Sequence, residues 1–387
     1  MKILYVYPKF TSAAGTERVL IDKINFFASQ EGYDVLLLTY EQGHHSFIYP
    51  VSHNVKHIDL GVRYYELYNY GRLSRLFKWR QYNKLLEQRF SNVVLDYKPD
   101  IVVSTTYYIT ILSVIASCKI PFVKVLESHI DKRYIHSNDP LNKTSYLHWL
   151  RTWFEMRSLM SKSSSFDVLV ALSKDDASDW SAYLNTVIID NLVHLNPMGR
   201  LCTHQSKRVI FVGRYTWQKG VDDLLKIWTI VYSKHSDWHL DMYGDGDLMD
   251  YLIKKADDLH SNIHVNPPTI DIFEQYLNSS ILLVTSNYEP FGLVMPEAMS
   301  CGLPVVSFDC PSGPANIISD GVDGYLIKNR DIVLFADKVC YLIESPEVRI
   351  KMGQAAVDSS KRFSPDIIMP KWESLFQELL EAKNKNR

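Results

Sequence analysis

The stretch Ile281-Leu282-Leu283-Val284-Thr285 is followed, after Ser286 and Asn287, by Tyr288-Glu289-Pro290-Phe291-Gly292-Leu293-Val294-Met295-Pro296-Glu297-Ala298-Met299-Ser300-Cys301-Gly302-Leu303-Pro304. It opens as a short apolar run of strand length, passes through a polar loop, and enters a helix near Val294. Pro304 to Phe308 supplies the next apolar run. A strand, a helix and a strand in that order make a parallel crossover, which needs both sheet faces covered. The same rhythm extends outward: Arg208 to Val212, a helical Val221 to Ser233 and His239 to Tyr243 precede it. It also runs through the first half, as Ile3 to Val6, helical Glu17 to Gln30, Asp34 to Thr39, Ile101 to Ser104 and Pro121 to Leu126. The expectation is an α/β chain of two doubly wound, Rossmann-like domains facing each other across a cleft that the carboxyl ends of the strands line. The expected limits are 1–192, a loop-rich linker 193–207, a second domain 208–362, and a closing helix within 363–387, opened by Ser364 and Pro365 and returning to the first domain.

The 387 residues are 46% hydrophobic and 22% charged, a composition that excludes disorder and collagen-like repeats. A net charge of −2 excludes a global basic field of the kind duplex nucleic acid demands. Five scattered cysteines, Cys118, Cys202, Cys301, Cys310 and Cys340, have no metal spacing and point to a reducing, cytoplasmic compartment. The run Ile3 to Tyr7 is too short for a signal-peptide core, and Ile101 to Ile120 is too interrupted by serine and threonine for a spanning helix. Charge is uneven, with a balance of +4 over residues 1–200 and −6 over the remainder. Within the basic half, residues 61–90 interleave Arg63, Arg72, Arg75, Lys78, Arg80, Lys84 and Arg89 with tyrosine, phenylalanine and tryptophan, a combination suited to an anionic membrane surface or to a solvated helix over a core stripe.

The chemistry-bearing residues lie at strand ends. Gly292 lets backbone approach a ligand closely, and the helix start after it favours a phosphate. Glu297, in that helix's first turn, has two oxygens suited to vicinal hydroxyls, and Glu289 on the loop could grip a second polyol; the plainer reading is a dipole-complementing Glu297 and a solvated Glu289. In Val212-Gly213-Arg214-Tyr215-Thr216-Trp217-Gln218-Lys219-Gly220, two cations follow a strand and precede a helix. Helix starts disfavour cations, so Arg214 and Lys219 are either solvated or placed for a diphosphate. Asp245-Gly246-Asp247 imitates a metal motif but reads better as a turn after a strand, with Gly244 bordering it. His129 follows the strand that begins at Pro121, while His44, His45, His53, His57 and His136 have no such placement.

The Glu289 to Glu297 spacing resembles the Glu, seven residues, Glu signature of the retaining glycosyltransferases of family 4. The likeness continues in Val212 to Gly220, in Met242-Tyr243-Gly244-Asp245-Gly246 and in Ser307-Phe308-Asp309-Cys310-Pro311-Ser312-Gly313-Pro314. Pro267-Pro268 and the Asp309 to Pro314 loop look most like the bacterial polysaccharide and lipid-linked oligosaccharide members. The resemblance implies the GT-B fold, a nucleotide-sugar donor, here a UDP-sugar, no metal and no further cofactor, and a saccharide or polyprenyl-linked saccharide acceptor, which residues 61–90 would receive at the inner face of the membrane. It implies catalytic roles for Arg214, Lys219, Glu289 and His129, the last lining the reacting sugar. Donor contacts are implied for Gly15, Gly213, Gly244, Phe291, Gly292, Leu293, Val294 and Glu297. Ser12-Ala13-Ala14-Gly15-Thr16-Glu17-Arg18 is similar to the family's Gly-Gly-x-Glu-Arg loop, with Ala14 in place of the first glycine. A sugar-nucleotide epimerase of the same architecture and a non-catalytic glycan-binding module are the alternative readings.

Overall fold

A computed structural model describes residues 1–130, 132 and 146–385. It divides into two compact units, Met1–Leu192 with Met369–Arg387, and Val193–Ile368.

The first unit is built on β1 (Lys2–Val6), β2 (Asp34–Thr39), β3 (Lys56–Asp59), β4 (Ile101–Thr105), β5 (Val123–Glu127), β6 (Val168–Ala171) and β7 (Thr186–Ile188). All pair in parallel in the order β3-β2-β1-β4-β5-β6-β7. Its helices are α1 (Gly15–Ser29), α2 (Arg72–Tyr97), α3 (Ile109–Ser117), α4 (Tyr146–Ser163) and α5 (Lys174–Ser181). Ile3, Leu4, Tyr5 and Val6 are all buried because helices cover both faces, which is why this strand reads as continuous apolar sequence. Ser173 caps α5, its side chain accepting from the Asp176 N–H. Ser173→Ala is expected to cost about 1 kcal/mol, read as a lower urea midpoint at unchanged slope.

The second unit repeats the plan with β8 (Arg208–Val212), β9 (His239–Tyr243), β10 (Ile263–Asn266), β11 (Ile281–Val284), β12 (Val305–Phe308) and β13 (Gly324–Ile327), parallel in the order β10-β9-β8-β11-β12-β13. Its helices are α6 (Val221–Lys234), α7 (Met249–Leu259), α8 (Ile272–Leu277), α9 (Val294–Ser300), α10 (Pro314–Ile317), α11 (Ile332–Glu344) and α12 (Pro346–Ser360). On α6, Val221, Leu224, Leu225, Trp228 and Val231 recur at helical spacing and pack into one core with Phe335, Val339 and Leu342 of α11. The last helix, α13, runs Pro365–Lys385, and its residues from Met369 onward belong to the first unit.

Residues 193–207, expected as a linker, are instead bound into the second unit. The Val193 N–H donates to the Phe363 carbonyl at 2.8 Å, the Cys202 N–H to that of Cys301 at 2.9 Å, and buried Arg349 donates to the His204 carbonyl at 2.7 Å. Each sheet reverses its winding once, between β1 and β4 and between β8 and β11, and the loops leaving those strands frame the crevice where doubly wound sheets take ligands.

Candidate functional site

In the second unit the loops after β8 and β11 converge. The turn 217–219 tightens into a 3-10 helix and ends at Gly220, whose φ of +63° starts α6. This directs Lys219 back over the end of β8, where Gly213 leaves its stem room: a Cβ there would stand 3.4 Å from the lysine Cδ and Cε. The Lys219 ammonium is paired with the Glu289 carboxylate, and Ser286 Oγ donates to the same Glu289 oxygen at 3.0 Å. Glu289 is only 6% exposed. Its backbone bridges to Ser312, with the Gly313 N–H donating to the Glu289 carbonyl at 2.6 Å, so the loop after β12 supports it from behind. Arg214 is exposed and donates to Gln218 Oε1 at 2.7 Å, and Gln218 in turn donates to the Tyr288 carbonyl at 3.4 Å. Burial and the neighbouring Glu289 push the Cys310 thiol up to about 12, so it stays protonated beside this pair.

Gly244 ends β9 under tight constraint, because a Cβ there would lie 1.9 Å from the Gly213 carbonyl oxygen. Gly292 has a φ of +90° and turns the chain into α9. Leu293 and Val294 are half-buried, while Phe291 is buried with its ring edge-on to Phe363 at 5.4 Å. The helix α9 is short, Val294–Ser300, and starts directly after this turn. Glu297, expected to offer its carboxylate to vicinal hydroxyls, is 3% exposed rather than solvated and accepts a hydrogen bond from the Tyr276 hydroxyl at 3.3 Å.

In the first unit, Gly15 is the exposed first residue of α1, and Ala14 before it has φ −86° and ψ 156°. That is ordinary extended backbone, which alanine adopts without strain. Glu17 is buried and accepts from Ser12 Oγ at 2.8 Å and from the Tyr7 hydroxyl at 3.3 Å. His129, just beyond β5, is buried rather than open, its side chain 2% exposed and its Nε2 2.8 Å from Glu127 Oε2. The same Glu127 oxygen is paired with Lys23 of α1. Burial pushes the Glu127 carboxyl up, but Lys23 and His129 outweigh it and hold the group below the usual carboxylate range. His136 lies outside the described residues.

The structure therefore brings Lys219, Glu289, Gly213 and Gly292 together and ties Arg214 to them through Gln218. Sequence reasoning overlooked Ser286, Gln218, Lys23 and Glu127. Only Lys23 carried a readable signal, a cation inside the apolar stripe Val19, Leu20, Ile24 and Phe27 of α1. Among the described residues, no group of three or more histidine, cysteine, aspartate or glutamate side chains is placed to hold a metal ion.

Residues 202–358 match the family model described as Glycosyl transferases group 1. The chain is 33% identical over 199 residues, 49% of its length, to the amylovoran biosynthesis glycosyltransferase AmsD of Erwinia amylovora, and this match spans about half of that relative (56%). It is 24% identical over 379 residues to an uncharacterized glycosyltransferase of Haemophilus influenzae, covering 97% of this chain and 99% of that one. Among solved structures, a point mutant of S. aureus TarM, crystallised with fondaparinux, α-GlcNAc-glycerol and UDP, superposes with a TM-score of 0.77 at 16% identity, over 97% of this chain and 99% of the other.

Proposed function

We propose that this chain, which has the GT-B fold and is a group 1 glycosyl transferase through residues 202–358, moves a sugar from a UDP-sugar to a hydroxyl of a saccharide or lipid-linked saccharide, with the anomeric configuration retained. The observation that carries this reading is the Lys219–Glu289 pair, largely buried at the sheet's winding reversal, with Arg214 beside it through Gln218. A diphosphate suits two cations anchored on one turn, and carboxylates suit the hydroxyls on either side of it.

In the proposed reaction the bond from the sugar's anomeric carbon to the leaving phosphate oxygen breaks. The acceptor oxygen bonds to that carbon on the same face, and the acceptor's proton passes to the departing phosphate. Arg214 and Lys219, in place of a metal ion, carry the charge that appears there. UDP crystallised with TarM supports uridine as the nucleotide, and Glu297 is assigned to its ribose. Glu297→Ala should then raise the donor KM and leave kcat nearly unchanged, since ribose contacts act equally in ground and transition states. An unchanged KM would remove that assignment. Incubating the chain with UDP-sugars, with and without a saccharide acceptor, tests the activity itself: transfer is expected only with acceptor, and conversion of the donor alone would favour epimerisation.

The acceptor surface is assigned to residues 61–90, at the inner face of the cytoplasmic membrane. There Tyr68, Leu73 and Phe77 are 79%, 81% and 65% exposed, beside Arg75, Lys78 and Arg80, and the Arg72 side chain lies outside the described residues. No described helix is long and apolar enough to cross a membrane. Neutralising Arg72, Arg75, Lys78 and Arg80 together should weaken binding to phosphatidylserine vesicles by about 1 kcal/mol per charge, and unchanged partitioning would dismiss the surface.

A further inference from the structure

The polar cluster under α1 is poor as a stabilising device. Glu127 is shut from solvent, yet Oε2 alone takes both the Lys23 ammonium and His129 Nε2, while Oε1 is buried with no partner. The Tyr5 hydroxyl, buried within the field of Glu127, is likewise without one. The Trp372 ring of α13 stands 4.2 Å from the Lys23 ammonium and closes its other side. An apolar replacement of such an ion pair is commonly as stable or more so. What the arrangement does achieve is orientation. His129 sits just beyond the carboxyl end of β5, and its ring is pinned through Nε2 to an acceptor that cannot donate.

We propose that Lys23 and Glu127 are positioning residues for His129. The carboxylate selects the ring tautomer with hydrogen on Nε2 and makes Nδ1 the ring's acceptor, and Lys23, backed by Trp372, keeps that carboxylate charged and in place. A second-tier carboxylate that sets the tautomer of a histidine is a general device for fixing which nitrogen faces the chemistry. The rate consequence rests on the glycosyl-transfer reading; the tautomer does not.

The test uses the full chain labelled with ¹⁵N-histidine and the double variant K23M/E127L beside K23M. The wild-type His129 ring is expected to show the Nε2–H signature, and the double variant is expected to lose it and average between tautomers. K23M alone, left with a bare buried carboxylate, should melt lower, while the double variant should recover melting temperature without recovering rate. Its kcat should stay about 10²-fold down at unchanged UDP affinity, and adding His129→Gln to it should cost nothing more. A wild-type Nδ1–H tautomer, or a double variant with wild-type kcat, overturns the proposal. If the wild-type chain transfers no sugar, the glycosyl-transfer reading falls and the tautomer measurement alone decides the role of the pair.

Discussion

Lys219→Ala is expected to lower kcat by about 10² to 10³-fold, the usual cost of removing one fixed group that meets charge developing in a transition state. The substitution does a second thing. Lys219 is the ion-pair partner of Glu289, which is nearly enclosed and, among the described residues, keeps only Ser286 as a side-chain donor once the ammonium is gone. Breaking a buried pair from one side costs about 3 kcal/mol, so the urea midpoint should fall as well. The two losses are separable, because Glu289→Gln in the Lys219→Ala background removes the bare charge and should restore much of the stability but none of the rate. An unchanged kcat in Lys219→Ala would take this lysine out of the reaction.

Gly244→Ala is expected to be among the most damaging single methyl groups in the second unit. The added Cβ would fall 1.9 Å from the Gly213 carbonyl oxygen and 3.2 Å from the buried Tyr215 ring, and neither the backbone nor the enclosed ring is a flexible end that can move aside. The ends of β8 and β9 must separate, breaking the bond from the Gly213 N–H to the Tyr243 carbonyl at 3.0 Å. Overpacking of this kind costs about 3 kcal/mol, and because Gly213 underlies the Lys219 stem, UDP affinity should fall with the urea midpoint. Gly199→Ala offers a contrast, since nothing lies within 4 Å of its added Cβ, and its φ of +66° should cost only about 1 kcal/mol without touching affinity. Equal UDP affinity in Gly244→Ala and the wild type would separate this turn from the site.

The parts of the fold that could be read from the sequence were those with strong apolar runs. β1, β2, β4, β8, β11 and β12 lie where apolar runs place them, since central strands of a parallel sheet are buried on both sides, and β5 and β9 also lie where expected although Lys124 and Asp241 interrupt their runs. The edges were another matter. β3, Lys-His-Ile-Asp, carries mostly exposed side chains, and β7, Thr-Val-Ile, is β-branched but only three residues long, so neither makes a readable apolar run and each is completed by the ladder its neighbour offers. The linker was misjudged for a related reason. Asn196, Pro197 and Gly199 do form turns, but several of the segment's backbone groups are satisfied by partners far along the chain, as Asn196 N–H is by Ser300 Oγ at 2.9 Å, 104 residues away.

The order of residues along the chain was enough to determine a doubly wound parallel α/β protein with its polar groups at strand ends, because period, strand length and turn chemistry are local properties that any fold of this chain must respect. Which polar groups meet was decided only by tertiary structure. Lys219 and Glu289 are 70 residues apart and Lys23 and Glu127 are 104 apart. Each pair is made by a helix or turn folding back over a neighbouring strand's end, and the loss of water around the four groups converts charges that would be weakly coupled in an open chain into fixed partners.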